Sequence, residues 1–256
     1  MNASRHHGDG LGELLAGGNV GQVWRVGDTV RREIGPWSPA VHRLLTHLAG
    51  MPEVPRFHGI DEHGREVLDY LPGRIVDVDL EVLTDAQLAA IGVWARRLHE
   101  ATSDFNDAGP WRFEAPPGAD VIGHNDIAPY NVCFDGNSLV GVFDWDLAGP
   151  TTTLLELGFI AWNCVPLYRC PAVDDPDSWS AARLRLLASA YGGVDASQVL
   201  AATLIRIQRS ITGMQSAAAA GDVGMQRLMA TTGEPEPTRL ALLELHTRVP
   251  AIRKRL

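Results

Sequence analysis

Between positions 124 and 144 the chain reads His124-Asn125-Asp126-Ile127-Ala128-Pro129-Tyr130-Asn131. Val132-Cys133-Phe134 follows, then the turn Asp135-Gly136-Asn137-Ser138, then Leu139 to Phe143 and Asp144. Carboxylates and a carboxamide are hard oxygen donors, and a carboxylate is also a base; together they suit magnesium-assisted phosphoryl transfer. The two apolar runs flanking the Asp-Gly turn read as a hairpin, which returns its second end to the neighbourhood of its first. Asp126, Asn131 and Asp144 are therefore expected to converge. The bland alternative is that these residues merely cap turns, as Asp and Asn often do. It leaves unexplained why a base, two metal ligands and the intervening hairpin follow one another in order.

That order resembles the catalytic loop and metal-binding aspartate of the protein-kinase-like fold. It is more closely similar to the aminoglycoside phosphotransferase family, in which a His-Gly-Asp-x-x-x-x-Asn loop precedes a strand ending in Asp-Trp. Here the loop runs from His124-Asn125-Asp126 to Asn131 and the strand ends in Asp144-Trp145. Leu98-His99 at a helix end and Leu71-Pro72-Gly73 at the lobe junction extend the likeness over most of residues 15–165. The resemblance implies Asp126 as catalytic base or orienting carboxylate, and Asn131 and Asp144 as ligands of Mg2+ against the phosphates of ATP or GTP. It gives His124 the duty of pinning the loop by hydrogen bonds. Asp146 is either a second metal-side ligand or the cap of a turn before Ala148-Gly149-Pro150. Glu156, where the family commonly has an aspartate before an apolar helix, takes a structural duty.

The elements that must position these groups fall into two lobes, residues 1–70 and 71–256, giving a two-lobed, kinase-like α/β fold. In the first lobe, Val20 to Val26, Thr29 to Ile34 and Arg65 to Tyr70 are candidate strands, with Gly27-Asp28 as a hairpin turn. Ser38-Pro39 opens a capped helix that ends near Gly50. Beyond Leu71-Pro72-Gly73 the pattern turns helical, over Asp85 to Thr102, Ser178 to Tyr191, Ala196 to Ala220 and Pro237 to His246. Gly17-Gly18-Asn19-Val20-Gly21 has the composition of a phosphate-covering loop, making Gly18, Asn19 and Gly21 candidate nucleotide contacts; an ordinary hairpin turn has the same composition. By the same resemblance the hinge is Leu68 to Gly73, with backbone groups around Asp69 and Leu71 facing the nucleobase.

The likeness weakens at the cation. A kinase-like lobe carries a lysine on its third strand held by a glutamate on the next helix. This chain contains one lysine, Lys254, and its strand offers Arg31 and Arg32 instead. Alternation sends the two to opposite faces. The resemblance favours Arg31 in the cleft and Arg32 in solvent; the alternative makes both surface charges. The helix from Ser38 to Gly50 has no acidic residue, and His42 stands near the place of the partner carboxylate.

The formal charge of −9, with 31 acidic against 22 basic residues, argues against nucleic acid or an anionic membrane as partner and suits a cationic small substrate. Cys133, Cys164 and Cys170 lack the pairing of a disulfide framework or a zinc site, which fits a reducing cytoplasm. Met1 to Gly10 shows no apolar leader, and no run approaches a membrane span of ~18 residues. The expected activity is transfer of the γ-phosphoryl group of a nucleotide to a hydroxyl of a small molecule: an aminoglycoside-like antibiotic, an amino alcohol, a sugar or a natural product. The rival from another class is a catalytically silent nucleotide- or ligand-binding relative, favoured by the missing lysine and helix glutamate. A metal-dependent hydrolase is a third reading, with no His-Glu-x-x-His motif behind it. Trp111, Trp162 and Trp179, with Asp174, Asp175 and Asp177, are possible acceptor-pocket residues, against the ordinary reading of core tryptophans and a solvated acidic loop.

Overall fold

In the computed structural model, which describes residues 12–15 and 22–256, a five-stranded antiparallel sheet precedes a mainly helical region. The strands are β1 (Glu13–Leu15), β2 (Val23–Val26), β3 (Thr29–Arg32), β4 (Phe57–Ile60) and β5 (Glu66–Asp69), in the order β1-β2-β3-β5-β4. Val26 pairs with Thr29 across the expected Gly27-Asp28 turn, where Gly27 has φ 61°. The segment containing Gly18, Asn19 and Gly21 lies outside the described residues. Strands β1 and β4 escaped the sequence pattern because each is short and broken, β1 by its three-residue length and β4 by Gly59 at a register shift.

Helix α1 (Ser38–His47) packs over this sheet, burying Ala40, Val41, Leu44 and Leu45. Its cap lies one residue earlier than expected: Trp37 is the N-cap, and the Ser38 hydroxyl instead accepts a bond from the Gly35 N–H at 2.9 Å. Helix α2 (Asp85–Ala101) opens with a capping box between Thr84 and Gln87 and buries Leu88, Ile91, Trp94, Ala95 and Leu98 along one face.

Strands β6 (Val121–Gly123), β7 (Val132–Asp135), β8 (Ser138–Val142) and β9 (Gly149–Thr151) follow, with β7 and β8 forming the expected hairpin and β6 pairing with β9. Close approach fixes the hairpin against the preceding segment. A Cβ on Gly141 would come within 2.7 Å of Cys133 Sγ and 2.8 Å of Leu71 Cβ, and Arg74 exchanges backbone bonds with Phe134.

Five more helices complete the described chain: α3 (Thr153–Cys164), α4 (Pro176–Tyr191), α5 (Ala196–Ala219), α6 (Val223–Thr232) and α7 (Glu236–Arg255). Helix α3 packs on α5, and α2 on α4. Two departures from the sequence reading have clear causes. Helix α6 starts at an aspartate cap, Asp222, whose carboxylate accepts the Met225 N–H, a signal hidden behind the alanine run before it. Helix α7 continues past Pro250 to Arg255, because Val249 and Ile252 are buried and this packing outweighs the single bond that proline removes. No helix among the described residues is long and apolar enough to cross a membrane.

Candidate functional site

The loop from His124 to Asn131 is held by bonds to its backbone. A buried carboxylate, Glu156 on α3, accepts the N–H of His124 at 3.1 Å and that of Asn125 at 3.1 and 2.9 Å on its two oxygens. The approach requires Gly123, whose Cβ would stand 2.6 Å from Glu156 Oε2. Asn125 adopts φ 64°, the left-handed region that asparagine tolerates, and its side-chain amide donates to the Gly149 carbonyl. His124 is fully buried and bridges the two ends of the motif. Its Nδ1 accepts the Asp126 N–H at 3.3 Å while Nε2 donates to the Phe143 carbonyl at 3.1 Å. Burial holds its pKa down at about 3, so the ring is neutral.

This bridging brings Asp126 and Asn131 together and sets Asp144 beside them. Asn131 Nδ2 donates to Asp126 Oδ2 at 2.8 Å and to the Asp126 carbonyl at 3.0 Å, and the Phe143 N–H bonds the Asn131 carbonyl at 3.0 Å. Asp144 follows with φ 62° and ψ 67°, and its side chain is 44% exposed. Burial, then the charge on Asp144, push the Asp126 carboxyl well above the ordinary range; Arg206 and the Asn131 bond pull the other way. Arg206, on α5, also donates to the Asn125 carbonyl at 2.9 Å and lies over the Phe159 ring. It was invisible in the sequence because α5 is remote in the chain; its only signal was an arginine set among Leu204, Ile205 and Ile207.

The cation side corrects the sequence reading. Val30 packs on the core, so alternation along β3 turns Arg32 inward with it and Arg31 away. Arg31 bonds Thr29 Oγ1 and lies 3.7 Å from Asp61. Arg32 reaches Asp146 at 2.7 Å, Asp144 at 3.3 Å and Glu66 at 3.3 Å. Burial opposes its charge, and the carboxylates of Asp146, Asp144 and Glu66 outweigh that and push its pKa further up. Glu66, on β5, pairs in register with Arg32 and shares the inward face of Leu68. Its other oxygen meets His42 Nε2 at 2.8 Å, and His42 stacks on Phe57 at 3.8 Å. A carboxylate partner for the strand cation therefore exists, carried by the neighbouring strand and not by a helix.

Asp146 sits in a short 3-10 turn, Trp145–Leu147, facing two arginines: Arg32, and Arg112 at 3.9 Å. It is thus an inward ion-pair partner and not a surface cap. Arg112 is itself buried, bonded to both oxygens of Asp222 and lying 4.0 Å from the Trp37 ring centroid. Asp69 is spent within the sheet: its N–H bonds the Arg56 carbonyl, and its carboxylate takes the Arg56 N–H and His58. Among the described residues nothing accepts the Leu71 N–H, and the Leu71 carbonyl accepts from Cys133 Sγ at 3.8 Å. The proposed acceptor residues do not gather. Trp162 is core, Asp175 caps α4 and pairs with Arg255, and Asp177 pairs with Arg248.

The donor set fits magnesium. Asn131 turns its amide nitrogen to Asp126, which leaves its oxygen free, and Asp144 presents a half-exposed carboxylate. Among the described residues no three His, Cys, Asp or Glu side chains gather as a metal cage. Magnesium needs none, since it takes one or two protein oxygens together with phosphate and water.

Residues 107–196 match the model of the phosphotransferase enzyme family. The trifolitoxin immunity protein of Rhizobium leguminosarum bv. trifolii is 35% identical over 192 residues, 70% of this chain and 73% of that protein. Among solved structures, choline kinase from Cryptosporidium parvum Iowa II superposes with a TM-score of 0.61 at 10% identity, covering 94% of this chain and 89% of the other. A spectinomycin phosphotransferase in complex with ADP and spectinomycin gives a TM-score of 0.52 at 11% identity, covering 91% and 92%. At such identities the structural likeness speaks for the fold.

Proposed function

Because the chain belongs to the aminoglycoside phosphotransferase (phosphotransferase enzyme) family, we propose that it moves the γ-phosphoryl group of ATP or GTP onto a hydroxyl of a small molecule, in the cytoplasm where such nucleotides are held. The observation that carries this reading is Asp126, pinned through Asn131 beside Asp144 at the end of the β7–β8 hairpin. Asp126 orients the attacking hydroxyl and accepts its proton as the bond to phosphorus forms. Its elevated pKa makes the ionised form a better proton acceptor than an ordinary carboxylate. Asn131 Oδ1 and Asp144 would hold Mg2+, which when bound supplies charge neutralisation at the phosphate oxygens. In this reading the sheet from β1 to β5 belongs to the lobe that covers the nucleotide, and the helical region beyond Leu71 to the lobe that carries the loop and the acceptor. The relative that confers immunity supports a bioactive compound as acceptor, inactivated by the added phosphate.

The test is a screen of hydroxyl compounds, antibiotics first, for phosphorylated product by mass spectrometry, with magnesium-dependent nucleotide hydrolysis measured in parallel. Asp126→Ala should lower either rate by about 10²- to 10⁴-fold with the melting temperature little changed. Equal rates in parent and variant would remove Asp126 from the chemistry. A parent that binds nucleotide yet turns nothing over would favour the silent reading.

A further inference from the structure

Arg32 has more carboxylate neighbours than a nucleotide-binding cation needs. One guanidinium nitrogen, Nη2, serves both Asp144 and Asp146, while Nε lies toward Glu66. Of these three carboxylates, Asp144 is the metal ligand in the phosphotransfer reading on which this inference rests. The guanidinium lies 3.3 Å from Asp144, and a divalent cation held by the same carboxylate would be repelled by it, since two positive charges cannot share one carboxylate closely. Glu66 differs from the other two. It is almost fully buried, faces Arg32 across the β3–β5 ladder, and is fixed from behind by His42, so it cannot follow the metal.

We propose that Arg32 is the counter-cation of Asp144 and Asp146, displaced when metal and nucleotide enter, and that Glu66 is the positioning residue that keeps its guanidinium at the cleft. On displacement, the fork of Arg32 turns to the entering phosphates, which accept it bidentately. Bare metal and Arg32 then compete for Asp144. Metal carried on a nucleotide does not compete, because the phosphates separate the two cations and bind both. The sign of the coupling between Arg32 and the metal thus reverses with the nucleotide.

The experiment uses the full chain and two probes. Mn2+ alone is titrated by electron paramagnetic resonance of the free ion, and MgADP by calorimetry, for the parent, Arg32→Gln and Glu66→Gln. In Arg32→Gln, Mn2+ should bind about threefold to tenfold more tightly than in the parent, the range set by the net worth of one ordinary hydrogen-bonded contact, and MgADP about tenfold or more weakly. In Glu66→Gln the freed Arg32 leans wholly on Asp144 and Asp146, so Mn2+ and MgADP should both bind more weakly. A loss of fold would weaken Mn2+ binding in both variants, so the opposite signs separate the inference from mere damage. Should Arg32→Gln fail to fold, the Glu66→Gln arm decides on protein whose urea midpoint matches the parent's, so that weaker Mn2+ binding there is not loss of fold. Mn2+ affinity unchanged or weaker in a folded Arg32→Gln, or unchanged in Glu66→Gln, overturns the inference alone while MgADP still binds the parent. A parent that binds neither probe overturns it together with the phosphotransfer reading.

Discussion

Two halves of the cleft are held by different physics. On one side, the loop from His124 to Asn131 hangs from buried acceptors: Glu156 takes two backbone N–H groups, and the neutral ring of His124 ties Asp126 to Phe143. On the other side, Arg32 is held by Asp144, Asp146 and Glu66, all through charge. Bonds to backbone N–H groups are directional and have no second partner to move to, so the loop keeps one geometry. Ion pairs among several carboxylates are nearly interchangeable, so the arginine can change partners at small cost. In the proposed reading the site joins a rigid base to an exchangeable cation, a fitting division when the base must be preorganised and the cation must follow the ligand.

The sharpest way to break this contrast is to remove Glu156. Glu156→Ala leaves two backbone N–H groups without their acceptor, although Arg206 keeps the Asn125 carbonyl, and should destabilise the fold by about 3 kcal/mol or more, read by urea unfolding. Any residual turnover should fall with it. A loss below about 1 kcal/mol would mean that the loop holds its shape without the carboxylate.

What the sequence made legible follows the same line. Asp126, Asn131 and Asp144 were readable because a short hairpin links them, and local chain geometry fixes where its two ends lie. Arg32, Glu66 and Arg206 were not, since their neighbours come from β5, α1 and α5 through pairings that span long stretches of chain. The choice between Arg31 and Arg32 turned on which face of a four-residue strand Val30 occupied, and a strand so short carries too few alternations to fix its own phase. The helices were legible where caps flank them, as at Thr84 and Asp195, and misjudged where burial overrode a local signal, as at Pro250.

A finer probe asks whether Glu156 behaves as a hydrogen-bond acceptor or as a charge. Burial raises its pKa to about 7 from an ordinary 4.5. The folded state then keeps a proton that the unfolded chain has lost, so this group favours folding most below pH 4.5 and its contribution declines as the pH rises to about 7, by about 3 kcal/mol at most. Glu156→Gln cannot titrate. The stability of the parent relative to this variant should therefore fall across that window and level off above it, as read from urea midpoints at several pH values. A gap that stays constant from pH 4 to 8 would mean that folding leaves the Glu156 carboxyl at its ordinary pKa, ionised at neutral pH, placing the loop in the same class as the Arg32 cluster.

The smallest expected effect is the most exacting test of which arginine belongs to the cleft. Arg31 bonds Thr29 Oγ1 and lies 3.7 Å from Asp61, whose carboxylate is already engaged by Arg65 at 2.8 Å. Deleting Arg31 leaves no carboxylate unpaired, so Arg31→Ala should cost less than about 1 kcal/mol of stability, the usual worth of an ion pair near the surface. MgADP affinity measured by calorimetry should stay within about twofold of the parent, a difference of roughly 0.4 kcal/mol. A tenfold loss in Arg31→Ala would instead put that side chain against the phosphates. It would also reverse the phase of β3 that places Val30 and Arg32 on the inner face.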